Sequence, residues 1–129
     1  MNKILVEVSV GELFDKISIL EIKKDKIKDK EKLKFIIDEY NVLKEQMVNK
    51  VKLNEKLSDL FDTLKNINSK LWVIEDDKRL CEKNSDFGEK FIKLSRDVHF
   101  LNDDRAKIKL EINNHTGSSI KEIKEYTSY

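Results

Sequence analysis

NEKLSDLFDTLKNINSKLWVIEDDKRLCEKNSDFGEKFIKLSRDVHFLNDDRAKIKLEIN, residues 54–113, decides the fold. In its first half Leu57, Leu60, Leu64, Ile67, Leu71 and Ile74, then Lys78 and Cys81, recur at steps of three and four. Such a heptad seam marks a helix that packs along one line. Asn84-Ser85-Asp86-Phe87-Gly88 interrupts it, and a second seam follows: Phe87, Phe91, Leu94, Val98, Leu101, Arg105, Ile108 and Ile112. Asn54 is a good N-cap for the first helix, and Asp86 with Glu89 reads as a capping box for the second. Two seams joined by a short turn predict helices over 55–83 and 87–113, packed antiparallel.

Working outward, Ser9-Val10-Gly11-Glu12 is a capping box that opens a helix over 10–28, with Leu13, Ile17, Leu20 and Ile27 on one stripe. A second helix over 30–50 carries Leu33, Ile36, Ile37, Tyr40, Leu43 and Met47. Residues 3–8 are rich in β-branched side chains and read as a short strand or an extended arm. The tail 118–129 admits a helical turn or a strand pairing with that arm. The expected architecture is therefore mainly α: one domain over 1–129, a helical bundle built on a long antiparallel hairpin.

Composition agrees. Charged residues make up 40% and apolar ones 39%, with no proline and three glycines, which suits long helices with solvated faces. A net charge of +1 provides no field to recruit nucleic acid or an anionic membrane. The lysine run 23–34 has no interleaved aromatics, which argues further against nucleic acid. Glu7 interrupts the apolar N-terminal run, so neither a signal peptide nor a membrane span is expected. The single cysteine, Cys81, forms no internal disulfide and fits a reducing, cytoplasmic setting.

No glycine-rich phosphate loop, CxxC pair or HExxH appears, and nothing implies a cofactor or a metal. His99 and Asp103 share a face as half a metal site at most. Glu12-Leu-Phe-Asp15 does not match the paired motifs of helical nucleotide pyrophosphatases. What remains is charge placed where a bundle buries oil. Arg105 falls in the middle of the apolar arc of its helix, so its guanidinium needs a partner. Glu75, Asp76, Arg79 and neighbouring apolar residues leave the segment 71–81 without a clean polar face. Folding about residue 86 brings Glu75 and Asp76 level with Arg96. On the first helix Glu21 projects between Phe14 and Ile17, and Lys24 lies on the stripe. Glu21 is accordingly the expected partner of Arg105, unless Glu21 pairs locally with Lys24. Val73, Leu80, Ile92 and Leu110 lie off the seams, so the chain is expected to form a homo-oligomer.

Three stretches together, VSVGELFDKISILEIK (8–23), LWVIEDDKRLCE (71–82) and DFGEKFIKLSRDVHFLNDDRAKIKLEIN (86–113), resemble a family of small uncharacterised proteins of bacteria and marine phages. That family is a domain of unknown function of about this length, and its members tend to lie near genes for surface polysaccharides and glycosyl transfer. The resemblance carries over Glu12, Asp15, Lys16, Glu21, Glu75, Asp76, Arg79, Arg96, Asn102, Asp103, Arg105 and Glu111. Lys78 departs from it, standing where the family has an apolar residue. The resemblance supports the fold and implies no activity.

The leading expectation is a small binding module with a charged pocket between helices one, three and four for an anionic ligand or partner. Arg105 and Arg79 would be its anion anchors, with Glu75, Asp76, Glu21, Lys24 and Arg96 around them. One rival is a small enzyme similar in plan to the helical chorismate mutases, although no arginine occurs on the first helix. The other is a scaffold without a ligand.

Overall fold

The computed structural model describes residues 2–129, which form four helices. They are α1 (Val10–Lys26), α2 (Lys30–Lys50), α3 (Glu55–Lys83) and α4 (Glu89–Thr116). The long pair is the expected hairpin, with α4 starting two residues later and ending three later than the sequence suggests. At 29 and 28 residues, α3 and α4 are each about 40 Å long. α1 has 17 residues and covers only their base. It packs against both α3 and α4, while α2 packs on α1.

The helix ends show why the chain turns where it does. Ser9 Oγ accepts from Glu12 N–H at 3.0 Å and Asn54 Oδ1 from Leu57 N–H at 2.9 Å, as expected of N-caps. The Asp86–Glu89 capping box does not form. Gly88 occupies the N-cap without a side-chain bond, and Asp86 Oδ1 accepts from Gly88 N–H instead. The turn is fixed from the α3 side. Ser85 is left-handed (φ 52°), Asp86 N–H donates to Cys81 C=O at 2.8 Å, and Ser85 N–H donates to Glu82 C=O at 3.1 Å. That is a Schellman ending with serine where glycine is usual. α4 ends on Gly117, whose φ of 66° suits a residue without Cβ.

The core fills the base: Phe14 and Ile17 of α1, Met47 of α2, Leu57, Leu60 and Leu64 of α3, and Ile112 of α4. Beyond α1 the two seams have only each other, and Leu71, Ile74, Leu94, Val98 and Leu101 are merely half-buried. Lys78 is accommodated there with its ammonium 5.9 Å from the Phe91 ring centre. Val73, Leu80, Ile92 and Leu110 are exposed. Residues 3–8 form an exposed arm that is neither helix nor strand, and among the described residues there is no strand. The tail after Ser118 is neither helix nor strand.

Candidate functional site

Gly11, Asp15 and Ser18 share one face of α1, at steps of four and three. Arg105, Lys109 and Asn113 share one face of α4, at steps of four. The two faces meet. A Cβ on Gly11 would stand 2.5 Å from the Lys109 carbonyl oxygen and 3.0 Å from Asn113 Oδ1, so glycine is what lets the backbones approach. Gly11 N–H donates to Asn113 Oδ1 at 2.7 Å, and Val10 N–H to Ser118 Oγ at 3.2 Å. With Glu12 N–H on Ser9, three of the four free donors at the start of α1 are satisfied, and the Glu12 carboxylate turns to Lys109 and Lys16 rather than back to Ser9 N–H.

One turn further in, Asp15 is 2% exposed and fully partnered. Arg105 grips it with two bonds, Nε to Oδ1 at 2.9 Å and Nη2 to Oδ2. Asn68 Nδ2 from α3 donates to Asp15 Oδ1 and to Ser18 Oγ, both at 2.8 Å. Three helices thus meet on one carboxylate. Lys109, also buried, reaches Glu12 at 2.7 Å, Glu122 of the tail at 3.1 Å and Asp15 at 3.8 Å. Burial alone would raise the Asp15 pKa. Hydrogen bonds from Arg105 and Asn68, with the charges of Arg105 and Lys109, outweigh it and hold the carboxyl below its usual range. Burial likewise works against charge on Lys109, yet its bonds to Glu12 and Glu122 keep its pKa above the ordinary lysine value. Arg105 is also raised, chiefly by its bond to Asp15. Among the described residues no buried side-chain nitrogen or oxygen lacks a partner.

Beside this cluster lies a groove of about 470 Å³ between α1, α3 and α4. Ile19, Ile22, Leu71 and Trp72 give it apolar walls, and Glu75, Asp76, Arg79 and Arg105 supply the charge. The Arg105 contribution is its remaining edge, where Nη1 donates to Asn102 Oδ1 at 3.4 Å. Arg79 has a side chain 76% exposed and touches only its own helix, 3.3 Å from Glu75.

A model of a family of unknown function, DUF6165, matches residues 4–129. The chain belongs to that family. Neither a curated protein nor a solved structure matches it. In this DUF6165 member, four of the residues that the sequence singles out, Arg105, Arg79, Glu75 and Asp76, line one groove. The other three do not join them. Glu21 is held by Lys65 at 2.9 Å and by the Tyr40 hydroxyl at 3.3 Å. The expected Arg105–Glu21 pair is therefore replaced by Arg105–Asp15 and Glu21–Lys65. Lys24 stands 4.0 Å over the Tyr40 ring and does not pair with Glu21. Arg96 lies on the outer surface of α4, beside Ile92 and Phe100, and makes no bridge to Glu75 or Asp76. Two of the three arginines, Arg79 and Arg105, thus reach that groove, and Arg96 does not. His99 stacks against Phe100 and Tyr129, and Asp103 accepts from the Tyr129 hydroxyl.

Of the DUF6165 positions carried over by resemblance, Glu12, Asp15, Lys16, Asn102 and Arg105 gather at the α1–α4 crossing. Lys109, Asn68, Asn113, Gly11 and Glu122 complete that cluster and escaped the reading of the sequence. For Gly11, Lys109 and Asn113 the signal was the four-residue spacing on α1 and α4, visible only when the two stripes are set side by side; Asn68 on α3 and Glu122 in the tail carried none.

Proposed function

We propose that this DUF6165 protein is a small helical binding module whose groove at Trp72 receives an apolar or aromatic group carrying an anion. The observation that carries the reading is a division of labour among the charges. The buried ones are all spent on each other, while an open apolar groove keeps the exposed Arg79 guanidinium at its rim. Pockets that bind small groups are mostly apolar with a few placed polar groups, and this groove has that make-up. Arg105 holds the wall and offers one edge. Arg79 is the contact free to turn toward a carboxylate or phosphate, at the cost of only an exposed pair with Glu75.

Trp72 is the only tryptophan, so its fluorescence reports on the groove directly. Titration with phenylacetate and phenyl phosphate should change the emission saturably, acetate and inorganic phosphate should do so more weakly, and R79E should weaken the aromatic anions about tenfold. A flat titration with every probe to tens of millimolar, with the protein folded, contradicts the proposal.

A further inference from the structure

The arm Lys3–Val8 is neither helix nor strand, is strongly exposed (Ile4 84%, Leu5 93%), and is joined to no strand among the described residues. Its residues alternate in a way that asks for one. Ile4, Val6 and Val8 fall on one face of an extended chain and Lys3, Leu5 and Glu7 on the other. A strand edge with unpaired backbone groups and a branched apolar face is a ready template for pairing. The natural candidate within the chain is the tail, which leaves the bundle beside the arm through the Val10–Ser118 bond. The tail is tied elsewhere. Glu122 is held by Lys109 at 3.1 Å, and the Tyr129 hydroxyl donates to Asp103, so the tail runs along α4.

We propose that the arm pairs with the arm of a second copy, as an antiparallel two-stranded ribbon with its two-fold axis at Leu5. The sequence is self-complementary in that register. Lys3 stands opposite Glu7 of the partner subunit and Glu7 opposite Lys3 of the partner subunit. Ile4 and Val6 are cross-strand neighbours, and Leu5 meets its own copy. Directly opposed unlike charges and branched side chains are the pairs that stabilise antiparallel strands. A slip by one residue loses both ion pairs and turns the apolar face outward. An isolated ribbon is marginal, but this one has a seat. The arm borders a cleft of about 630 Å³ between α1 and α2, walled by Leu13, Val42, Leu43 and Val51, with Val42 60% exposed. In the single chain Ile4, Leu5, Val6 and Val8 all border that cleft; in the ribbon Ile4, Val6 and Val8 stay on it in each protomer and Leu5 turns to its own copy. The contact is isologous and closed, so it stops at a dimer.

The test is sedimentation velocity across a concentration series from low micromolar to about 0.5 mM, on the full chain and three variants. The arm lies outside the core, so the variants keep the helical content of the bundle, which circular dichroism checks. The full chain dimerises. Removal of residues 2–7 leaves a monomer throughout. E7K, which sets lysine against lysine twice, weakens the dimer about tenfold, and K3E/E7K, which restores the pair with its signs exchanged, returns to within about threefold of the full chain. A full chain that stays monomeric overturns the proposal. So does a dimer that survives removal of the arm, which would place the contact on exposed hairpin residues such as Val73 and Leu80. A charge exchange that fails to restore E7K overturns the register.

Discussion

The base and the far half of the hairpin use the same residue types to opposite ends. At the base, Asp15 and Lys109 are buried, Arg105 and Glu12 half-buried, and the four are bonded to one another and to Asn68 across α1, α3 and α4. Further along the same two helices, Arg79 and Lys93 reach only their neighbours four residues away, and Arg96 stands exposed. The difference is the reach of α1. Where it crosses the hairpin, three helices exclude water and a charge must be partnered. Where it stops, two helices leave every charge a solvated side. Residues buried by that crossing belong to the fold, and those around Trp72 remain open to solvent.

The largest effects should fall at the base. D15A strands the Arg105 guanidinium, and R105A leaves a buried carboxylate with only the Asn68 amide at 2.8 Å and Lys109 at 3.8 Å. Each should cost about 3–5 kcal/mol in urea unfolding. R79A and R96A, on the far half, should fall within about 0.5 kcal/mol of the parent. A comparable loss at Arg79 would erase the contrast.

G11A comes next, because its methyl group meets backbone and cannot be turned aside. It should cost about 1–3 kcal/mol by forcing α1 from α4. G88A, whose nearest neighbour is 3.6 Å away, is the control and should change little.

Acid should attack the base first. The Asp15 and Glu122 carboxyls are held below their usual values, so the unfolded chain binds more protons than the folded one. Their contribution is complete above about pH 4–5 and is lost as pH falls through the lower folded values. Unfolding free energies measured from pH 6 to pH 2.5 should decline, and D15N should flatten the decline.

The smallest effect is a gain. S85G relieves a left-handed serine at the hairpin turn and should raise stability by about 1 kcal/mol, read as a shift in the urea midpoint at unchanged slope.

The hairpin was legible because a heptad seam needs only local spacing, and both seams hold from Leu57 to Ile112. The base cluster was half legible. Arg105 stood out as a charge on an apolar arc, but its partner depended on which flank of α1 faces α4. Projection on one stripe favoured Glu21, between Phe14 and Ile17. In the fold α1 has two packed faces, and Glu21 lies toward α2 and α3, within reach of Tyr40 and Lys65. Asp15 lies on the other face. Lys109 was hidden for the same reason: beside Ile108 it reads as the solvated flank of a seam until α1 and the tail cover it. The capping box at Asp86 failed because the Schellman turn at Ser85 already spends the geometry it needs.

A double-mutant cycle on Asp15 and Arg105, followed by urea unfolding at pH 7, tests most directly that Arg105 belongs to the fold rather than to a ligand. If the two side chains are bonded as described, D15A/R105A costs less than the sum of the single variants by at least about 2 kcal/mol. Additive losses within about 0.5 kcal/mol would show that the pair does not hold the helices together, and would contradict the account.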